Sequence, residues 1–362
     1  MKISSLFSVA ILLFSQFLFA QTDNSDPLRP PLADLPTVDP ASVGLDGDAI
    51  QASLWMVDAE PSTDLRGVVV IKDGKLVVEE YYNTFWRGNI HDIRSAGKSI
   101  TAVLMGIAIH QGLVKSVDES VYSFFPPEKY SYRATEAHRN IKIKHLLTMS
   151  TGMDADTDDW ESPGNAGQWI ARGDWLRYVL NLPMKFTSGE RWVYNDAAAL
   201  LTGAIIEETS GMSLAAFAEK NLFGPLGIEE YYWLSDATGR TGGMGNLYIG
   251  ALDFAKIGLL VLNEGTWQEE RLLSKDYITA LSKEQIYDPN NGSYGYMWYL
   301  DEATIGNKTY PVFYASGNGG NRLFVIPEED LVVSVQSSAY GYRYGHRRAW
   351  NIMRMVLLAS QK

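Results

Sequence analysis

Apolar residues in this chain recur in two rhythms, and the change from one to the other marks its architecture. Gly67-Val68-Val69-Val70-Ile71 and Leu76-Val77-Val78-Glu79-Glu80-Tyr81-Tyr82 are β-branched runs flanking Lys72-Asp73-Gly74-Lys75. Two such runs around Asp-Gly predict a hairpin. A short helix is expected just upstream, over about Asp48–Val57. From Ser95 the rhythm turns helical. Ile100, Val103, Leu104 and Ile107 fall on one face of a run ending at Gly112, a residue suited to a left-handed helix end. Further helices are expected over Ile141–Met149, Gln168–Leu180, Asp196–Thr209 and Ser213–Leu222. Strand character returns at Thr309–Ala315, Arg322–Ile326 and Leu331–Gln336, and a helix over about Arg347–Ser360 closes the chain. Strands at both ends around a helical middle predict an α+β fold. An antiparallel sheet is completed by both ends of the chain, flanked by helices, with an all-helical domain inserted. The expected division is an α/β sheet domain of residues 45–90 plus 240–362 and a helical domain of residues 91–239, with the active site at their interface.

The first 44 residues have a different character. Met1-Lys2, the apolar stretch Leu6–Phe19 and the small residue Ala20 before Gln21 form a secretory signal pattern over residues 1–20. An uncleaved anchor is the competing reading, but the run falls short of the roughly 20 residues that a spanning helix needs. A proline-rich lead-in follows over residues 21–44. Cleavage would leave an exported protein, periplasmic or secreted, with no stable membrane insertion.

Composition narrows the chemistry. The 362 residues are 46% hydrophobic and 20% charged, ample for a core. The net charge of −12 and the lack of a basic run argue against a nucleic-acid partner. With no cysteine, thiol catalysis, a disulfide frame and a lipid-modified cysteine are all excluded. The five histidines show no metal-binding spacing, and no Gly-x-Ser-x-Gly elbow occurs.

Three segments carry candidate chemistry. Ser95-Ala96-Gly97-Lys98 puts a hydroxyl and an amine one helical turn apart, where they can exchange a proton. A lysine in a dry cleft is expected to lose its proton more easily and so to act as a base. The same pair also reads as an N-cap beside a solvated lysine. Tyr194-Asn195-Asp196 opens another apolar helix, and a phenol next to a lysine can shuttle protons; an aromatic cap on the core is the plainer alternative. Ser316-Gly317-Asn318-Gly319-Gly320-Asn321 precedes a strand. Its glycines let backbone approach a ligand, and an N–H there can bind an oxyanion. A flexible loop would look similar. The glycine-rich loop Gly242–Tyr248 is a further candidate for substrate contact.

In combination these phrases resemble the serine β-lactamase and penicillin-binding-protein superfamily, on the branch of class C β-lactamases, family VIII esterases and 6-aminohexanoate-dimer hydrolases. The likeness runs through Ile93–Ser99, His145–Gly152, Tyr194–Asp196, Gly295–Trp298 and the stretch from Gly319 to Val333. It implies a β-lactamase/transpeptidase-like fold and a serine hydrolase working through a Ser95 acyl-enzyme. Lys98 would be the proton partner of Ser95. Tyr194 would protonate the leaving group and help activate the deacylating water. The backbone N–H groups of Ser95 and Asn318 would form the oxyanion hole. Asp196, Gly317, Gly319, Gly320 and Tyr248 would contact substrate. No metal or organic cofactor is implied, and the partner is a small ester or amide. Oligomeric state is left open.

Two departures from the family pattern bear on substrate. Its Tyr-x-Asn reads Tyr-Asn-Asp here, and its Lys-Thr-Gly falls within Ala315–Gly320, where no cation stands. The second departure argues for an esterase or small-amide hydrolase over a β-lactamase or D-alanyl-D-alanine carboxypeptidase. A catalytically silent protein that binds cell-wall peptides is the remaining alternative. Arg322 is a possible replacement charge, although it reads more simply as a strand residue near the surface.

Overall fold

The predicted hairpin forms from Leu65–Lys72 and Lys75–Tyr81, paired antiparallel, with Asp73 and Gly74 at φ of 51° and 70° in the turn. Positive φ at both central residues matches the right-handed strand twist, and Asp-Gly accepts it at low cost. Residues 35–60, 62–290 and 292–360 are described by the structure, a computed structural model. The expected export signal and most of the lead-in lie outside those residues.

Among the described residues the main sheet has eight strands. In spatial order they are Lys75–Tyr81, Leu65–Lys72, Leu331–Ser337, Asn321–Ile326, Lys308–Gly317, Tyr299–Ile305, Gly292–Tyr294 and Ile286–Asp288. Every neighbouring pair is antiparallel, so the N-terminal hairpin and the C-terminal strands complete one sheet.

Both faces of that sheet are covered, which explains why its central strands read as unbroken apolar runs. Val68, Val70, Phe324, Val333 and Val335 pack with the Gly47–Asp58 and Arg343–Ala359 helices. Val69, Ile71, Leu323, Val325 and Val332 face the other way, into a cluster shared with the Gly97–His110, Asp196–Ser210 and Ala251–Leu262 helices. The Ala251–Leu262 helix, buried on nearly every side, was not among the predicted elements.

The helical middle differs from expectation in two places. The single helix expected over Gln168–Leu180 is two short ones, Ala166–Trp169 and Trp175–Val179. Asp174 starts the second, its carboxylate accepting from Arg177 N, so an apolar period read across Gly173 spans a break. The expected Ser213–Leu222 helix begins as Leu214–Ala218 and widens into a π-turn over Glu219–Phe223. No helix among the described residues is long and apolar enough to cross a membrane.

Candidate active site

Ser95 lies in a single 3₁₀ turn, Arg94–Ala96, which runs directly into the Gly97–His110 helix. That helix is buried almost throughout, so Lys98 enters the interior at 2% exposure while Ser95 remains half-buried. Lys98 Nζ donates to Ser95 Oγ at 3.0 Å and to the Met244 carbonyl at 2.6 Å, and lies 2.6 Å from Asp196 Oδ1. It also sits 5.0 Å from the centroid of the Tyr194 ring. The predicted pair and the predicted tyrosine therefore meet.

The charge on Lys98 differs from the sequence expectation. Burial works to discharge it, but the Asp196 carboxylate and then the Tyr194 phenol outweigh burial, and its pKa is raised above the ordinary lysine value. Three acceptors surround Nζ, matching the three N–H donors of an ammonium. A dry cleft alone would favour the free amine; the Asp196 carboxylate reverses the sign.

Replacing Asp196 by Asn should then bring the Lys98 pKa down, since burial would act with less opposition. In the parent protein Lys98 stays charged through neutral pH, and the stability its raised pKa contributes is fully present below the unfolded lysine value of about 10.4. That contribution is lost as pH climbs through the higher folded value. In Asp196→Asn any limb of the pH–rate profile governed by Lys98 should move to lower pH, and the alkaline loss of stability should shrink. Ester turnover and urea midpoints between pH 6 and 11 measure both; superimposable profiles would refute this account of Lys98.

Tyr194 and Asp196 are placed by backbone pairing and a cap. Val193 N donates to Met149 O and Thr157 N to Tyr194 O, which fixes the segment in extended form. Asn195 then caps the Asp196–Ser210 helix, its side chain accepting from Ala198 N at 2.7 Å. Asp196 occupies the first turn, where a carboxylate suits the helix dipole. Trp192 stacks on Tyr194 with ring centroids 5.8 Å apart. A cleft of about 490 Å³ bordered by Met153, Asp156, Phe186 and Trp192 lies beside this segment; Ser95 is not among its lining residues.

The Ser316–Asn321 segment reaches the site through Gly317. A Cβ there would lie 1.9 Å from the Ile93 carbonyl and 3.1 Å from Ala96 N, so this strand end presses against the Ser95 turn. The glycines were expected to admit a ligand, but protein fills the space a side chain would take. Gly319 abuts Tyr340 and the Ser337 carbonyl, and Gly320 abuts the backbone of Gly345. Asn318 is exposed, with its side chain accepting from Gly341 N at 2.8 Å.

The Gly242–Tyr248 loop, a candidate for substrate contact on sequence, is largely interior. Residues 241–245 are buried, and three successive carbonyls accept from buried donors: Gly243 from Thr101 Oγ1, Met244 from Lys98 and Gly245 from Trp233 Nε1. Tyr248 is half-buried, 5.6 Å from the Tyr232 ring. Arg322 is not near the surface either. It is buried over the Tyr314 ring at 4.6 Å, and burial lowers its pKa. It shares a strand face with Phe324, which packs on Trp350. Trp169, Trp175 and Trp298 are core residues. His91 is buried and its pKa is lowered by burial to about 4, so it is neutral at physiological pH.

Among the described residues no group of three or more histidines and carboxylates is arranged to hold a metal. Sequence reasoning missed the Met244 carbonyl and Thr157, whose Oγ1 accepts from Asp196 N at 3.2 Å. The first acts through its backbone and leaves no trace in residue type.

Residues 58–355 match the family model described as Beta-lactamase, and the chain belongs to that family. A curated relative, an uncharacterized protein of Alkalihalophilus pseudofirmus, is 20% identical over 312 residues, 76% of this chain and 84% of the relative. Two Bacillus subtilis relatives, an N-acetylmuramyl-L-alanine amidase and penicillin-binding protein 4*, are 22% and 23% identical over 59% of this chain. The matches span only 54% and 53% of their own lengths. Among solved structures, a protein provisionally assigned as a 6-aminohexanoate-dimer hydrolase from Bacillus anthracis superposes with a TM-score of 0.70 at 18% identity, covering 89% of this chain and 87% of that one. At this identity the likeness shows the fold alone.

Proposed function

We propose that this protein is an exported serine hydrolase that cleaves a small ester or amide through a Ser95 acyl-enzyme. The observation that carries this reading is the buried, ion-paired Lys98 donating to Ser95 Oγ at 3.0 Å, with Tyr194 over the same ammonium. Ser95 Oγ attacks the substrate carbonyl while Lys98 stabilises the oxygen losing its proton. The Tyr194 hydroxyl takes that proton as it passes its own to the departing oxygen or nitrogen. The backbone N–H groups of Ser95 and Asn318 receive the carbonyl oxygen as its charge develops. Water then cleaves the acyl bond by the reverse proton path, freeing the acid and Ser95.

No cation stands within Ala315–Gly320, and Arg322 is buried against Tyr314. Both observations favour substrates without an obligatory carboxylate over β-lactams and D-alanyl peptides. Export rests on the signal pattern of residues 1–20. A fluorophosphonate probe and a panel of p-nitrophenyl esters, linear ω-amino amides, D-alanyl peptides and nitrocefin test the reading. Labelling and ester or amide turnover should vanish in Ser95→Ala, with nitrocefin a poor substrate of the parent. Failure of every serine-directed probe to label the parent would sink it, and fast nitrocefin turnover would replace it with a β-lactamase.

A further inference from the structure

We infer that Asp92, outside the proposed chemistry, is the positioning residue that locks the Ser95 turn and the loop holding Lys98 into one piece. The inference rests on the assignment of Ser95 and Lys98 above. Two non-glycine residues beside the site, Arg94 and Asn246, each adopt φ of 53°. Left-handed backbone is costly at Arg94 and persists only where surrounding contacts enforce it, while an asparagine such as Asn246 adopts it more readily. One carboxylate contacts both. Asp92 Oδ1 accepts from Arg94 N at 2.8 Å, and Oδ2 accepts from Asn246 Nδ2 at 3.0 Å. Arg94 Nε lies 3.2 Å from the same Oδ2, an ion-pair contact without good hydrogen-bond alignment. The Asp92 side chain is only 4% exposed.

The clamp is itself anchored. Asp92 pairs with Tyr248 in a short antiparallel ladder, and its carbonyl accepts from the Tyr340 hydroxyl at 3.2 Å. Its two arms end at the segments that define the site. Arg94 immediately precedes Ser95, and Asn246 lies two residues beyond Met244, whose carbonyl holds Lys98. Between the arms the backbones nearly touch: a Cβ on Gly245 would fall 2.9 Å from the Arg94 carbonyl. The placement of the Ser95 turn against the Met244 carbonyl that holds Lys98 Nζ is therefore set by two left-handed turns meeting on one buried carboxylate.

Asp92→Asn keeps an oxygen for Arg94 N but removes the charge facing Arg94 Nε, and its amide pairs with Asn246 only if the Asn246 amide turns over. Asn246→Asp instead sets two carboxylates face to face. The double exchange Asp92→Asn/Asn246→Asp restores one donor and one acceptor with their roles reversed. Each single variant should lose about 10- to 100-fold in kcat with KM changed by less than about 3-fold, the size of effect expected from a small misplacement of reacting groups. The exchange should recover at least about 10-fold of that loss. Hydrogen–deuterium exchange over residues 92–98 and 242–247 should quicken together in Asp92→Asn and slow again in the double variant, a readout independent of turnover. Unchanged exchange in Asp92→Asn, or equal losses in single and double variants, overturns the clamp. Turnover that survives Ser95→Ala overturns the functional reading instead, while the exchange measurement still decides the clamp.

Discussion

Lys98→Met is expected to abolish turnover and to destabilise the fold, and the two losses should separate on adding a second substitution. The change keeps the apolar stem in the buried Gly97–His110 helix but strips the counter-charge from Asp196, whose side chain is 12% exposed. Removing one partner of a buried ion pair typically costs about 3–5 kcal/mol, because the remaining charge is left uncompensated. The Met244 carbonyl also loses its donor, adding roughly 1–3 kcal/mol. Turnover should fall by about 10²–10⁴, the range for a positioned proton-transfer or charge-stabilising group. In Lys98→Met/Asp196→Asn the stranded charge is gone, so most of the first stability term should return while turnover stays lost. Urea unfolding with p-nitrophenyl ester assays reads both quantities. Recovery of turnover in the double variant would make Lys98 a structural cation only.

The same pair shows what the chain discloses and what it withholds. Ser95 and Lys98 were legible because a hydroxyl and an amine stand one helical turn apart, and Tyr194 because a phenol precedes the start of another apolar helix; the structure gathers Ser95 and Tyr194 around Lys98 Nζ. The hairpin around Asp73-Gly74 and the closing strands were legible because turn residues and β-branched runs are local signals. The charge of Lys98 was not. Local reasoning saw a lysine entering a dry interior; its protonation is decided by Asp196, an acid distant in sequence that only the fold brings to Lys98 Nζ. The Gly242–Asn246 loop was misread for a related reason. Glycines that permit close approach look the same whether the approaching group is a ligand or another backbone, and here the Arg94 carbonyl fills that place. Asp92 carried no signal at all, since what marks it is the left-handed conformation of two other residues.

Gly317→Ala is expected to cost turnover at the lower end of the range for loss of Lys98, with no charge or hydrogen bond removed. Gly317 ends the Lys308–Gly317 strand in register with Asn321, and its Cα faces the Ser95 turn. The new methyl would sit 1.9 Å from the Ile93 oxygen and 3.0 Å from its carbon. Both are backbone atoms of the segment presenting Ser95, so relief requires moving either the strand end or the turn by about 1 Å. Overpacking of this kind costs about 1–3 kcal/mol. A displacement of that size at reacting groups costs about 10² in rate. Gly173→Ala supplies the control, since its Cβ would meet only Ala237 at 3.7 Å, an ordinary contact. Gly317→Ala should therefore lose turnover and fluorophosphonate labelling while still unfolding cooperatively, and Gly173→Ala should match the parent in both assays. Full labelling in Gly317→Ala would mean that the strand end yields freely, and that the Ser95 turn is not held from that side.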